Sequence, residues 1–265
     1  MAYCTEHETA PEARAPVTIE FRNVGYRAGQ RMILQGLTLG IEQGETCVLL
    51  GRSGSGKTTT LKLINRLLDP SEGEVWVEGR QTRDWDPISL RRRIGYVIQE
   101  IGLFPHLTIG RNVGLVPELE GWPPDRIQDR VRDLLVRVGL DPALSSRYPR
   151  QLSGGQRQRV GVARALAADP PILLMDEPFG ALDPITRSEI QQEFLRLRQA
   201  MHKTIVFVTH DLPEALLLGT RICLFDAGRL LGTYTPQDFM ASRDPMALQY
   251  LAAFEGNPKL REGCA

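Results

Sequence analysis

The 265-residue sequence predicts an α/β fold in which helices cover a mostly parallel sheet. The first observation is the alternation, in the second half of the chain, of strand-length apolar runs with helical patterns. The predicted strands and helices there are 172–176, 185–200, 204–209, 213–218 and 221–225. The second observation is the apolar run at 46–50, which is typical of a central parallel strand buried on both faces.

The N-terminal part predicts strands of another kind. Residues 17–24 and 37–41 alternate apolar and polar positions, which is the period of a strand with one buried face. A further short strand is predicted at 75–78. Residues 1–16 are polar and rich in proline and alanine, so we expect a mobile segment before the first strand.

The middle of the chain has the spacing of helices. From Pro123 onward, apolar residues recur at three- and four-residue intervals until Gly139, and a second helix is predicted from Ser153. We therefore interpret the segment from about 103 to 160 as a helical insertion.

The C-terminal part predicts a hairpin and a short tail. Residues 226–228 form a turn signal that leads into a last strand at 229–234. We expect residues 243–265 to form a short tail after a main domain at 17–242. The apolar residues of one amphipathic helix predicted in this tail are Met246, Leu248, Leu251 and Phe254.

Composition limits the class of protein. Lys+Arg and Asp+Glu both number 32, so the chain lacks the basic field that would indicate a nucleic-acid partner. The four cysteines are scattered, which indicates neither a disulfide framework nor a zinc site and favours the reducing cytoplasm. No run approaches the roughly 18 apolar residues of a membrane span, and the N-terminus lacks a hydrophobic signal region. Any connection to a membrane is therefore expected to come through another chain.

The segment 51–58 predicts a phosphate-binding loop. It matches the pattern GxxxxGK[ST] and directly follows the apolar strand, so a plain glycine-rich turn is the weaker interpretation. Glycines let successive N–H groups face the phosphates of a nucleoside triphosphate such as ATP, Lys57 contacts the β- and γ-phosphates, and the Thr58 hydroxyl binds Mg²⁺. The expected nucleotide-binding residues here are Gly51, Ser53, Gly54, Ser55, Gly56, Lys57, Thr58 and Thr59.

The predicted strand 172–176 ends in one acidic residue, Asp176, and a second, Glu177, follows it directly. Such a strand delivers charge to the carboxyl edge of a parallel sheet, where ligands bind. Asp176 is expected to hold Mg²⁺ directly or through water, and Glu177 is the candidate general base or water-positioning residue for attack on the γ-phosphate. By itself, such an acidic pair more often marks a strand end that is exposed to solvent. Because a phosphate-binding loop precedes it in this chain, a Mg²⁺ and catalytic site is the stronger interpretation.

The pentapeptide 152–156, Leu-Ser-Gly-Gly-Gln, predicts a second anion site. Ser153 is placed as the N-cap of a helix whose first turn carries Gly154 and Gly155. A capped helix start accounts for Ser153, but each glycine costs about 1 kcal/mol relative to alanine inside a helix. The chain already has a phosphate-binding loop, so this second site needs another explanation.

With these three motifs in this order, the sequence from about 17 to 235 resembles the ATP-binding-cassette (ABC) ATPases. In that family the pentapeptide completes the ATP site of the opposite subunit, so the resemblance implies that Ser153, Gly154, Gly155 and Gln156 bind a partner's ATP. It also implies a RecA-type P-loop NTPase core with an antiparallel β subdomain and an inserted helical subdomain.

The resemblance extends to further residues. Tyr26 matches an aromatic ring that stacks on adenine, with packing in a small core as the alternative. Gln99 matches a glutamine that reaches Mg²⁺ and the attacking water, and His210 matches a histidine that senses the γ-phosphate. Asp183, in the run 181–183, matches a segment that crosses the dimer interface. Gln99, Glu177 and His210 are the implied catalytic residues.

The segments 99–106 and 177–187 are similar to those of ABC importers for glycine betaine, choline and related quaternary amines. The resemblance implies an ATP-hydrolysing subunit that powers uptake of such an osmoprotectant. Its implied partners are a second ATPase subunit, integral permease subunits and, through the permease, a substrate-binding protein. The implied location is the cytoplasmic face of the cell membrane.

An apolar cluster on the loop 103–107 indicates either a partner surface or packing between two lobes. The alternatives for function are the ATPase of another ABC importer or of an exporter, and an ABC ATPase without a transport role.

Overall fold

Two sheets and a helical region form the part of the chain that this computed structural model describes, residues 15–99, 102–180 and 182–255. Ten strands occur in these residues: β1 Val17–Ala28, β2 Arg31–Glu42, β3 Thr46–Gly51, β4 Glu72–Val77, β5 Arg80–Gln81, β6 Ile94–Val97, β7 Ile172–Asp176, β8 Thr204–Thr209, β9 Arg221–Asp226 and β10 Arg229–Tyr234. The α-helices in the same residues are α1 Lys57–Ile64, α2 Pro87–Arg92, α3 Ile109–Leu119, α4 Pro124–Arg137, α5 Gly154–Leu166, α6 Pro184–Met201, α7 Leu212–Leu218, α8 Pro236–Met240 and α9 Pro245–Glu255.

The larger sheet is mostly parallel, as the sequence predicts. Its order is β10-β9-β3-β8-β7-β6, and only the edge pair β10–β9 is antiparallel. Every residue of β3, β7 and β8 is buried, which explains their nearly unbroken apolar runs. Because Leu50 of β3 pairs with Thr209 of β8, and Val208 of β8 with Asp176 of β7, three strands that carry functional motifs end side by side.

The two faces of β3 contact different cores. Val48 and Leu50 belong to a cluster shared with the helical region, whereas Cys47 and Leu49 belong to a cluster shared with the smaller sheet. That smaller sheet is antiparallel, in the order β2-β1-β4-β5. Its strands β1 and β2 are longer than the alternating patterns predict. Register shifts between β1 and β2 interrupt the period of two, so only part of each strand has a clear pattern.

Two cysteines that are far apart in the sequence meet in the structure. Cys47 on β3 and Cys223 on β9 are buried free thiols, and their Sγ atoms lie 3.3 Å apart. The hydrogen bond to Cys223 and burial together raise the pKa of the Cys47 thiol. Such a pair on neighbouring strands was not foreseen, because 176 residues separate the two positions.

Helices α3, α4 and α5 form the helical region. Val131, Leu134 and Leu135 of α4 are buried, and Gly139 follows its end with φ of 69°, as the spacing predicts. Helix α3 was not predicted as a separate element; the Thr108 side chain caps it by accepting from the Arg111 amide. None of the helices in the three described ranges has the length and apolar content needed to span a bilayer.

The C-terminal segment is packed rather than appended, at least as far as Glu255. Ala247, Leu251 and Phe254 of α9 are buried in the core that the helical region shares. The prediction that Leu248 lies on the apolar face is wrong, since 48 % of this side chain is exposed. The buried stripe starts one position earlier, at an alanine whose small side chain gives a weak pattern. Residues 1–14 and 256–265, which include most of the predicted mobile segment and the end of the tail, lie outside the described residues.

The close contact between β6 and α5 at Gly95 is expected to tolerate no added methyl group. A Cβ at Gly95 on β6 would lie 2.3 Å from the carbonyl oxygen of Ala165 on α5. We expect Gly95→Ala to lower the free energy of unfolding by about 1–3 kcal/mol, because strand and helix must separate. The control is Gly40→Ala on β2, where the nearest atom would lie at 3.5 Å. Urea denaturation checks both variants, and equal stabilities would contradict the steric argument.

Candidate functional site

A cavity of about 780 Å³ lies at the carboxyl edge of the parallel sheet. Its polar side is formed by the loop after β3, the start of α1 and side chains that follow β6, β7 and β8. Sequence-predicted residues on this wall are Ser53, Gly54, Gly56, Lys57, Thr58, Thr59, Gln99, Glu177 and His210. The fold therefore brings motifs that are distant in the sequence into one site.

The loop between β3 and α1 has the geometry of an anion cradle. Gly54 and Gly56 have φ of 79° and 100°, which glycine adopts without strain. A Cβ at Gly56 would lie 2.5 Å from the Leu34 Cδ2 atom, so this position also lacks room for a side chain. No side chain caps α1, and its first amides therefore remain as donors for a ligand.

Lys57 is the buried cation of the cradle. Its Nζ donates to the carbonyl oxygens of Gly51 at 2.7 Å and Arg52 at 2.8 Å. Burial lowers the pKa of Lys57, and the carboxylates of Glu177 and Asp176 oppose this shift. An anionic ligand on the loop would add the favourable charge that this partly desolvated ammonium group lacks.

Asp176 and Thr58 meet beside the cradle. The Thr58 hydroxyl donates to the Asp176 Oδ1 atom at 2.9 Å, and the Asp176 residue is only 4 % exposed. Burial raises the pKa of Asp176, the Thr58 hydrogen bond lowers it, and the neighbouring Glu177 raises it further. Hard oxygen donors of this kind fit Mg²⁺, which typically binds one or two carboxylates together with phosphate oxygens and water.

Over the described ranges, no three His, Cys, Asp or Glu side chains are grouped in a way that would hold an ion. The Thr58 hydroxyl and the Asp176 carboxylate would supply part of a Mg²⁺ coordination shell, which typically also includes phosphate oxygens and water.

Glu177 is the centre of a second group of side chains. Its Oε2 atom lies 3.2 Å from the His210 Nδ1 atom and 3.5 Å from the Gln99 Nε2 atom. Its backbone adopts φ of 44°, uncommon for a residue other than glycine, while its amide donates to the Val208 carbonyl of β8. The turn thus directs the carboxylate to the cavity, where it can accept a proton from a bound water.

Sequence reasoning missed Tyr96 on β6. Burial and the adjacent Asp176 carboxylate raise the pKa of Tyr96, so its phenol stays protonated beside that carboxylate. The strand pattern does not reveal this contact with Asp176, because a tyrosine in a half-buried strand is common. Only the parallel pairing of β6 with β7 reveals the proximity of the two side chains.

Several predicted residues do not line this cavity. Tyr26 pairs with Leu34 across β1 and β2 and packs, partly buried, against the core of the smaller sheet. Gly51, Ser55 and Asp176 are also not among the residues that line the cavity. The pentapeptide 152–156 and Asp183 are also absent from the lining. In this chain the Asp183 side chain caps α6 by accepting from the Thr186 amide at 3.0 Å. Ala181, in the same segment, lies outside the described residues.

The two glycines of the pentapeptide have different surroundings. A Cβ at Gly155 would lie 2.5 Å from the Thr186 Cγ2 atom, so packing between α5 and α6 accounts for this glycine. At Gly154 the nearest atom would lie at 4.0 Å, and the chain offers no steric reason for it. Ser153 and Gln156 form a capping box, which leaves the amides of the two glycines as the uncapped donors.

The cavity has a second wall that the sequence did not predict. Arg31 and Ile33 of β2 line it, and so does one stripe of α9. The residues from α9 are Met246, Gln249, Tyr250 and Ala253. No local motif marks these positions, since they reach the cavity only through the packing of α9.

A buried carboxyl group supports the turn that carries His210. Glu214, at 5 % exposure, accepts from the Thr209 hydroxyl at 2.6 Å and from the Gln191 amide at 3.2 Å. Burial is the largest cause of its raised pKa. The folded state thus keeps the proton of Glu214 to higher pH than the unfolded chain, so this group's stabilisation is lost as pH rises from about 4.5 through the folded pKa.

We therefore expect Glu214→Gln to become more stable relative to the unsubstituted chain as pH increases over this window. The glutamine retains an acceptor for Thr209 but cannot ionise. Urea denaturation at a series of pH values measures the difference, and a difference that shrinks with rising pH would contradict the assignment. Glu214→Ala is the control and is expected to be destabilised throughout, because Thr209 and Gln191 lose their partner.

Comparison with known proteins gives one consistent result. Residues 34–180 match the family model described as ABC transporter. The chain is 50 % identical over 244 residues to the choline transport ATP-binding protein of Bacillus subtilis, covering 92 % of this chain and 63 % of that protein. It is also 50 % identical over 218 residues to the glycine betaine uptake system ATP-binding protein of Escherichia coli, covering 82 % and 71 %.

Solved structures agree with the sequence relatives. A dimeric ATP-binding cassette in a post-hydrolysis state, bound to ADP and Pi, superposes with a TM-score of 0.74 at 37 % identity, covering 82 % of this chain and 98 % of that one. The chain spans only about three fifths of the length of the first curated relatives, 63 %, 61 % and 58 %.

Proposed function

Since this chain belongs to the ABC transporter family, we propose that it is the ATP-hydrolysing subunit of an importer for quaternary-amine osmoprotectants. The observation that carries the proposal is that three features line one cavity. They are the glycine-rich loop with the uncapped start of α1, the buried Lys57, and the Glu177–His210–Gln99 group. This arrangement suits the transfer of a phosphoryl group to water, in which positioning and charge stabilisation provide most of the catalysis.

Each residue has a distinct proposed role. The loop amides and Lys57 hold the β- and γ-phosphates, and Thr58, Asp176 and Gln99 are the ligands offered to Mg²⁺. The bound ion would neutralise charge that develops on the phosphate oxygens. Glu177 orients the attacking water and accepts its proton, while His210 and Gln99 hold the Glu177 carboxylate in place.

A second copy of the chain is proposed to complete the site. Gly154 has no steric role within its own chain, and the capping box of Ser153 and Gln156 leaves its amide and that of Gly155 without a cap partner. These donors would face the γ-phosphate held by the partner's loop, with Asp183 at the interface between the two subunits. A solved relative described as a dimeric cassette bound to ADP and Pi supports this proposal.

The coupling to a permease is proposed from a groove of about 320 Å³ beside the helical region. Phe104, Val116 and Arg92 are among its lining residues, and 41 % of Phe104 is exposed. Asn112 fixes this loop, since its side chain accepts from the Phe104 amide and donates to the Phe104 and Leu107 carbonyls. Such a rigid, partly apolar groove suits a short helix from an integral subunit at the cytoplasmic face of the membrane, with a substrate-binding protein on the other side.

The first test is the loss of the buried cation. We expect Lys57→Ala to weaken ATP binding by at least about thirtyfold, because a buried charged partner of the phosphates is removed. Titration calorimetry of the full chain with ATP and Mg²⁺ measures the change. Lys203→Ala is the matched control, since Lys203 pairs with Asp169 away from the cavity. Unchanged ATP affinity in Lys57→Ala would contradict the proposed site.

The second test addresses the solute. Uptake of labelled glycine betaine, choline, carnitine or proline is measured in cells that lack this gene and in cells that carry it. The proposal is supported if one of these solutes is taken up by cells that carry the unsubstituted gene and not by cells that carry Lys57→Ala. If the protein is purified from its native membrane extract and no integral membrane subunit accompanies it, the proposed transport role is contradicted.

A further inference from the structure

Buried hydrogen bonds hold the turn that carries His210, and we propose that Glu214 on α7 is a positioning residue for ATP hydrolysis that keeps the His210 ring beside the Glu177 carboxylate. Glu214 does not line the nucleotide cavity, so it would act entirely through His210. The inference rests on the proposed function, because it adds a residue to the same catalytic group. It extends that group from the cavity wall to side chains that the ligand does not touch.

The first support is the position of the Glu214 carboxylate between two elements. Its Oε2 atom accepts at 2.6 Å from the hydroxyl of Thr209, the last residue of β8. Its Oε1 atom accepts at 3.2 Å from the side-chain amide of Gln191 on α6. Because Glu214 is only 5 % exposed, water cannot readily replace either partner, and the carboxylate is fixed in one orientation.

The second support is a closed set of hydrogen bonds around His210. The Thr209 hydroxyl, which donates to Glu214, also accepts from the Asp211 amide at 3.0 Å. The Asp211 carboxylate in turn accepts from the Glu214 amide at 3.0 Å and thereby caps α7. Both chain neighbours of His210 are therefore bound to Glu214, one through its carboxylate and the other through its amide.

The third support is that the His210 ring has few restraints of its own. Its side chain is 61 % exposed, and its Nδ1 atom lies 3.2 Å from the Glu177 Oε2 atom. Within the part of the chain that the structure describes, this is the only side-chain hydrogen bond of the ring. Such a ring takes its position from the backbone that carries it, so a change in the turn 209–211 moves the ring relative to Glu177.

The first test removes the Thr209 hydroxyl, which links Glu214 to the turn and does not line the cavity. We expect Thr209→Val to lower kcat for ATP hydrolysis about tenfold and to leave KM within about twofold, because a small displacement of a catalytic group is costly while the nucleotide contacts are unchanged. Thr204→Val is the matched control, since Thr204 lies at the other end of β8, is equally buried at 2 % exposure and accepts from the Gly44 amide. Its kcat should equal that of the unsubstituted chain.

The second test compares a conservative and a disruptive change of Glu214. Glu214→Gln keeps an acceptor for Thr209 and should retain at least about half of kcat, whereas Glu214→Leu should lose about tenfold. Urea denaturation defines a temperature at which each variant is folded, and the rates are compared there. Equal kcat values for the two variants would overturn the proposal. If Glu214→Leu does not fold, the comparison of Thr209→Val with Thr204→Val decides it, and equal kcat values there would overturn it too.

A positioning role also predicts how substitutions combine. In a chain that carries His210→Ala, adding Thr209→Val should change kcat by no more than about twofold, because Thr209 and Glu214 act only through the ring. A merely structural role would lower kcat by the same factor with and without His210. Single-turnover hydrolysis of radiolabelled ATP measures the slow rates. Losses that multiply in the double variant would overturn the proposal, and so would normal hydrolysis by His210→Ala.

These outcomes are distinct from a failure of the proposed function. If Lys57→Ala loses ATP binding while Thr209→Val hydrolyses ATP as fast as Thr204→Val, the nucleotide site stands and the assignment of Glu214 falls. If Lys57→Ala binds ATP as tightly as the unsubstituted chain, the proposed site is itself wrong, and the role of Glu214 is overturned with it.

Discussion

Glu177→Gln is expected to lower the rate of ATP hydrolysis by at least about 100-fold while ATP still binds, because the amide cannot accept the proton of the attacking water. The substitution keeps the size and planarity of the side chain beside His210 and Gln99. The Lys57 cradle is unchanged, so the nucleotide affinity should stay within a fewfold. Two subunits that bind ATP without hydrolysing it should accumulate as a stable dimer.

Phosphate release measures the rate, and light scattering with and without ATP measures the dimer. Glu189→Gln, which removes an exposed carboxylate from α6, is the control and should hydrolyse ATP normally. Near-normal turnover of Glu177→Gln would show that another group activates the water. In that case the Glu177 carboxylate would act as a partner of His210 and not as the base.

The second large effect is expected from Ser153→Arg. Hydrolysis should fall by at least about 100-fold, because the long side chain blocks the pentapeptide donors from the phosphate of the opposite subunit. ATP binding by the isolated chain should be retained, since Ser153 does not line the cavity of its own chain. Calorimetry and phosphate release on the same preparation separate the two effects.

The control must account for the helix cap that the substitution removes. Ser153→Thr keeps an N-cap hydroxyl and should retain most of the hydrolysis, whereas Ser153→Ala should lose about 1 kcal/mol of stability. Mixing Ser153→Arg with Lys57→Ala should restore hydrolysis that neither variant has alone, because one site of a mixed pair is intact. Loss of ATP binding in Ser153→Arg alone would contradict a site shared between two chains.

The phosphate end of the site was predictable because its signals are local. The loop 51–58 needs only glycines, a lysine and a hydroxyl in order after a buried strand, and all of them are visible in the sequence. The parallel order of the sheet then follows from the alternation of strands and helices, which places Asp176, Glu177 and His210 at one edge. Gly155 shows where local reasoning falls short, because its nearest constraint is Thr186 on another helix.

The sequence by itself determined which edge of which sheet carries phosphate chemistry, since short-range backbone geometry and residue type define such a site. Only the tertiary structure decided what lies opposite it. Arg52 and Gln249 are 197 residues apart, and they meet because burial of Ala247, Leu251 and Phe254 fixes the position of α9. The same non-local packing places Tyr26 against a core and Tyr250 on the cavity. No local pattern shows this difference, because it depends on which apolar surfaces the whole chain buries when it folds.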